Sequence, residues 1–216
     1  MSILQIITEL GSSFGVTFNI FIVTLLLSLP LGLLVSFGRM SKNAVVRGLV
    51  GAYISVMRGT PLMLQLIVVY FGPYYLFGVS FGASYRMTAI YIAFVINYAA
   101  YFAEIYRSGI QSMPVGQYEA AQLLGYSKGQ TFFRIIFPQV IKKILPSVTN
   151  EIITLVKDTA FAFTLSVMEM FTKAKALAAG QTSIVPLFVA GAFYYVFNYL
   201  VAYLLERAEK KLDYYR

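Results

Sequence analysis

The chain has 216 residues, 59% of them hydrophobic and 12% charged, with 17 Lys and Arg against nine Asp and Glu, and neither His nor Cys. That balance lies far from an ordinary soluble domain and makes lipid the expected solvent. The missing Cys and His exclude thiol chemistry, disulfides, histidine general bases and the usual zinc ligands, so no metal site is expected, and no G-x-x-x-x-G-K-S/T loop offers a nucleotide site.

A helix needs about 20 mostly apolar residues to cross the hydrocarbon. Phe14 to Gly38 carries no charge, and it is too long for a signal core while residues 1–13 carry no Lys or Arg, so it is expected to stay as a helix. Gly59 to Tyr85 is a second charge-free run, and Met87 to Ala103 is a third that Glu104 closes. Ile144 to Val167 is apolar in the main but contains Glu151, Lys157 and Asp158, and Ala176 to Leu205 is again clean. The expectation is a single all-α domain over residues 1–216, a polytopic membrane protein of five transmembrane helices.

Basic residues accumulate on the cytoplasmic side of membrane proteins. Arg39, Lys42 and Arg47 follow the first run; Arg107, Lys128, Arg134, Lys142 and Lys143 flank the loop after the third; Arg207, Lys210, Lys211 and Arg216 form the tail. Those groups alternate as five spans require, leaving Arg86, Lys173 and Lys175 opposite, so the amino end is expected outside and the carboxyl end in the cytoplasm. The net charge of +8 then reflects this bias and attraction to anionic lipid, with no nucleic acid involved.

Residues 114–138 hold the most specific signal in the chain. Met113-Pro114 ends the preceding helix, Gln117 to Leu124 is made of good helix formers, and Gly125 can stop a two-turn helix there. Ala120 and Ala121 present almost no side chain to a partner surface, and Glu119 is read as lying near the helix start, where the dipole favours it. Glu119-Ala120-Ala121, three residues, Gly125, nine residues, then Ile135-Ile136-Phe137-Pro138 resembles the E-A-A coupling loop of ABC importer permeases, departing only in Phe137 where Leu is usual.

Three further phrases resemble the polar amino acid uptake branch of that family: Arg58-Gly59-Thr60-Pro61-Leu62, Ala103-Glu104-Ile105 with Arg107 and Gly109-Ile110, and Lys157-Asp158-Thr159. The resemblance implies that Glu119, Ala120, Ala121 and Gly125 couple to two separate ATPase subunits that carry ATP and Mg. It also implies a second permease copy, identical or a close paralogue, and an extracytoplasmic amino-acid-binding protein, in the cytoplasmic (inner) membrane of a bacterium. The permease itself would not be an enzyme. After Asn97 relatives usually have a Ser and a small residue, whereas this chain has Tyr98, bulky enough to narrow a translocation path.

Helical spacing shows which way the polar residues of the spans face. Asn97, Tyr101, Glu104 and Ser108 recur at four, three and four residues, and Ser147, Glu151, Thr154 and Asp158 do the same. Two polar stripes on apolar helices imply a shared interior, since a carboxylate at the bilayer centre costs roughly 2.5–3.5 kcal/mol on insertion scales. Glu151 has no basic neighbour on its own stripe and is read as a substrate contact. Glu104 and Asp158 have two readings, as substrate contacts or as pairs with Arg58, Arg107 or Lys157. An acidic cavity suits arginine, lysine or histidine; glutamine or glutamate is the alternative. The rival classes are an ion-coupled carrier or channel and an intramembrane enzyme, the latter disfavoured by the absence of His and the single Asp in the spans.

At Arg58-Gly59-Thr60-Pro61, Thr60 can cap a helix that Pro61 opens, with Arg58 beside its free N–H groups to meet a substrate carboxylate. The plainer reading is an interfacial helix from Ala44 to Met57. Gln65, two turns beyond Arg58, would face the same way or bond a neighbouring helix. Tyr74, Tyr75, Tyr85 and the Tyr214-Tyr215 pair are expected at interfaces. The GxxxG spacings at Gly11/Gly15 and Gly78/Gly82 are read as loop or turn glycines.

Overall fold

The computed structural model describes residues 1–212, and these form helices without strands: α1 (Ile3–Arg39), α2 (Ala44–Gly59), α3 (Leu62–Phe77), α4 (Tyr85–Gln111), α5 (Val115–Leu123), α6 (Lys128–Gln130), α7 (Phe137–Asp158), α8 (Met170–Gln181) and α9 (Val185–Leu212). A π-helical stretch, Thr131–Ile136, joins α6 to α7, and a 3-10 stretch, Thr159–Leu165, follows α7. Asp213, Tyr214, Tyr215 and Arg216 lie outside the described residues. Among the described residues, α1, α4 and α9 are long and apolar enough to cross a membrane, and α2 with α3 would make a fourth span as a pair bent by 113°.

The packing is that of a protein dissolved in lipid. Leu26, Leu27, Leu34, Val68, Phe188 and Leu204 all point outward and are more than half exposed, while the faces turned inward use small residues. Along α1 the buried positions include Thr17, Thr24, Ser28, Gly32 and Ser36, and α4 answers with Ala89, Ala93, Ala99, Ala100 and Ala103. Small residues let two backbones approach closely when apolar burial alone cannot drive association. Gly32 marks the tightest point: a Cβ there would stand 2.7 Å from Phe102 Cβ and 3.1 Å from the Ala99 carbonyl oxygen.

α4 also buries Phe94, Tyr98 and Phe102 at intervals of four, in one core with Val140, Ile144, Val148, Ile152 and Leu155 of α7. Gly109 allows the contact to close, since its Cβ would meet Ile144 Cγ2 at 2.3 Å. α9 packs along α7, and Phe197 of α9 reaches Phe14 and Phe21 of α1 edge-on at 5.1 and 5.2 Å.

Several expectations need correction. Gly11 and Gly15 sit inside α1 and are not loop residues; only Gly78, in the left-handed conformation at the end of α3, and Gly82 lie at a turn. Thr60 does not cap α3: Pro61 is the N-cap, and the Thr60 hydroxyl turns back to donate to the Val56 carbonyl at 2.8 Å. The break itself is where Pro61 put it, because a proline has no N–H to continue α2.

The two ends of the bundle differ. Arg39, at the end of α1, comes to Glu104 near the end of α4, and Phe37 meets Phe132 at 5.3 Å, so these ends gather beside α5. At the opposite end Lys173 of α8 pairs with Glu9 of α1 at 2.7 Å.

Candidate functional site

The two polar stripes meet as their periodicity requires. A cavity of about 400 Å³ at the α5 end is lined by Arg58, Tyr101, Glu104 and Ser108 on one side and by Ser147 and Glu151 of α7 on the other. A second, of about 420 Å³, lies further along the same helices between Asn97, Tyr98, Tyr101, Glu151, Thr154 and Asp158. Tyr101 and Glu151 line both cavities. They form the partition between them.

The charged groups are committed to very different degrees. Glu104 is held by three guanidiniums from three helices: Arg107 in a fork at 2.6 and 3.1 Å, and Arg39 and Arg58 each at 3.9 Å. Its oxygens face protein cations, which fits its reading as a structural pair. Arg58 in turn lies over the Tyr101 ring at 5.3 Å from the centroid, a cation–π contact that places its charge at the partition. Asp158 accepts a 2.7 Å hydrogen bond from the Tyr98 hydroxyl. Glu151 is half-buried and, among the described residues, makes no hydrogen bond or ion pair. The Arg58 guanidinium, which lines the same cavity, is the cation that acts on it through space.

Other predicted residues are placed differently. Gln65 reaches neither cavity; it is buried, and its amide donates to the Met57 and Thr60 carbonyls and to the Thr60 hydroxyl at 2.9–3.1 Å. Arg58 and Gln65 therefore do not share a helix face, because the bend between α2 and α3 separates them. Asn97 lines the larger cavity but spends both amide protons on Met57 and Gln65. The Thr154 hydroxyl donates to the Asn150 carbonyl of its own helix at 3.0 Å, leaving its oxygen to accept.

The loop after α4 contains the expected helix. Val115–Leu123 starts from Pro114, and Gly125 at φ +80° stops it, its N–H bonding Gln122 O while Tyr126 N–H bonds Ala121 O. That is a helix end of the kind glycine favours. Glu119 lies beyond the first turn, so the dipole contact expected there is not made. Ala121 is buried against its own chain and does not belong to an outward face; Glu119, Ala120 and Gly125 are exposed. The outward surface is more apolar than the motif implies, because Leu123 and Leu124 are 90% and 75% exposed.

Residues 28–214 match the model of a protein family described as the binding-protein-dependent transport system inner membrane component. The chain belongs to this family. Among individual relatives, a Rickettsia felis chain named as a candidate glutamine transport system permease is 33% identical over 198 residues, covering 91% of this chain and 89% of that one. The arginine transport system permease ArtQ of Bacillus subtilis is 35% identical over 199 residues, covering 92% and 90%. A chain in the crystal structure of an amino acid ABC transporter with histidines is 30% identical, with a TM-score of 0.85 over 98% of this chain and 99% of that chain.

Two side-chain roles in this family member go beyond the sequence reading, one at the site and one in the core. Tyr98 is 2% exposed and bonded to Asp158, a role hidden because a tyrosine in a span reads as an aromatic wedge. Glu169 is fully buried and caps α8: it accepts from Phe171 N at 2.7 Å, from Thr172 N at 2.6 Å and from the Thr172 hydroxyl at 2.8 Å, while Thr17 of α1 and Tyr194 of α9 also donate to it. The only signal is an acid immediately before a helix, at its N-cap position, and its distant partners are invisible in sequence.

Proposed function

We infer that this chain is the membrane-embedded subunit of an ATP-driven amino acid importer, and that its cargo is a cationic amino acid. The observation that carries the reading is the free carboxylate of Glu151 at the junction of two cavities, with Asp158 beyond it. Arginine, lysine and protonated histidine each bring two cationic groups, an α-ammonium and a charged side chain, to be compensated away from water. Two carboxylates along one passage match that demand, and Arg58 at the partition has uncommitted donors for the substrate carboxylate.

Five crossings by α1, α3, α4, α7 and α9 fit this reading. α7 packs against α4 and α9, which are both apolar enough to span, so a helix between them crosses with its polar stripe turned to the cavity. The amino end then lies outside and α5 in the cytoplasm, in a bacterial inner membrane. α5 would seat on one of two ATPase subunits through Glu119, Ala120 and the exposed Leu123 and Leu124, with ATP and Mg held by those subunits. A second permease copy, identical or paralogous, and an extracytoplasmic binding protein complete the assembly.

The second reading is glutamine or glutamate as cargo, favoured by the name of the Rickettsia relative. The experiment is equilibrium titration of arginine, lysine, histidine, glutamine and glutamate into the complex assembled with its ATPase subunits, for the wild type and Glu151→Gln. Cationic ligands are expected to bind the wild type and to lose affinity in the variant. Binding of glutamine alone, or binding indifferent to Glu151, would overturn the cationic reading.

A further inference from the structure

Asp158 meets the larger cavity with one oxygen already committed. Its Oδ2 accepts the Tyr98 hydroxyl at 2.7 Å, and Tyr98 is stacked on Phe94 with centroids 6.4 Å apart and tilted against Phe102 at 6.2 Å. Both phenylalanines are fully buried. A ring held in a close-packed core cannot swing aside without leaving a void, so the hydroxyl is a fixed neighbour of Oδ2.

That fixture bears differently on the two kinds of cationic side chain. A guanidinium binds a carboxylate fork to fork, using both oxygens along one edge. A primary ammonium is a compact charge that a single oxygen satisfies. With Oδ2 engaged and the tyrosine ring standing beside it, the edge that a fork requires is half occupied, while Asp158 still lines the cavity and Oδ1 makes no hydrogen bond among the described residues.

We propose that Tyr98 is a specificity-determining residue: by holding one oxygen of Asp158 it makes the cavity select an amino acid with a terminal ammonium, lysine-like, over one with a guanidinium, arginine-like. The proposal rests on reading the cavity as a site for cationic amino acids. It adds a discrimination that the carboxylates alone do not supply.

The test is equilibrium binding of L-lysine and L-arginine to the complex assembled with its ATPase subunits, comparing the wild type with Tyr98→Phe, which keeps the ring and removes only the donor. The wild type is expected to bind lysine more tightly. Tyr98→Phe is expected to move the lysine-to-arginine ratio about tenfold toward arginine, the size of one charge-assisted hydrogen bond. In an Asp158→Asn background the same change is expected to leave the ratio where it was. A wild type that prefers arginine, a ratio that ignores Tyr98→Phe, or a shift that persists without the Asp158 charge overturns the proposal while the cationic site stands. If neither ligand binds the wild type, the cationic reading falls and the proposal falls with it.

Discussion

Asn97 of α4 donates to Gln65 Oε1 of α3 at 2.9 Å, and both amides also donate to one backbone carbonyl, that of Met57 in α2. In an unbroken helix that carbonyl would bond the N–H of residue 61, which is Pro61 and has none. Two buried side chains from two helices therefore finish the end of a third. The bend at Thr60-Pro61 is a satisfied joint and not a frayed one.

Replacing Asn97 by Leu removes this bridge and leaves the Gln65 oxygen buried without a donor. The expected loss is about 1–3 kcal/mol, read as a lower apparent Tm of the purified permease. Unchanged stability would show that the amides do not hold the joint.

Two glycines of α1 should respond in opposite ways to the same substitution. Gly32→Ala puts a methyl 2.7 Å from Phe102 Cβ and 3.1 Å from a carbonyl oxygen, an overpacking expected to cost about 1–3 kcal/mol. Gly15→Ala meets nothing within 4 Å and replaces the poorer helix former, so it is expected to be neutral or to stabilise by up to about 1 kcal/mol. Thermal unfolding of both variants side by side is the check.

Glu104 should be coupled unequally to its three arginines. A double-mutant cycle of Glu104→Gln with Arg107→Gln is expected to return about 1–3 kcal/mol, since that pair is forked and partly buried. The cycle with Arg39→Gln, across 3.9 Å and a more exposed guanidinium, is expected to return under about 1 kcal/mol. Equal couplings would mean that the three cations act as a diffuse field.

Glu169→Ala strips α8 of its cap and removes the carboxylate to which the Thr17 and Tyr194 hydroxyls donate. Loss of the cap alone costs about 0.5–2 kcal/mol, and the lost hydroxyl bonds add to it. The expected readout is faster amide hydrogen exchange confined to the first turn of α8. Exchange unaltered there would contradict the capping role.

Gly125→Asp places a side chain on a residue with φ +80° in open space. Asp tolerates that conformation better than most residues, so the helical content of the complex is expected to persist. Uptake into proteoliposomes is expected to fall while ATP hydrolysis continues. Normal uptake would remove α5 from the coupling path.

Much of the architecture was legible because helical periodicity is a local property. The stripes Asn97, Tyr101, Glu104, Ser108 and Ser147, Glu151, Thr154, Asp158 could be drawn without coordinates, and all eight residues line one cavity or the other. What stayed hidden depends on partners distant in sequence. Glu169 meets Thr17 across 152 positions, and Tyr98 meets Asp158 across 60; no spacing rule reaches that far. Ala120 and Ala121 are chemically identical, so only the docking of α5 on its own chain decides that one is exposed and the other buried.

The segment from Lys128 to Asp158 is helical without interruption, through α6, the π-helical stretch and α7. Its widest turn lies just before Pro138, where Phe137 N–H reaches back five residues to Phe132 O. At about 1.5 Å per residue, Glu151 stands on the order of 30 Å from the Lys128 end. The polypeptide there is one continuous helical rod, with its Lys128 end toward α5 and Glu151 toward the other end. Pro146 lies inside α7 between them and has no N–H to give to the hydrogen-bond ladder. If α5 moves as the proposed function requires, this single rod is the covalent route from that helix to Glu151, and Pro146 is its least-supported turn.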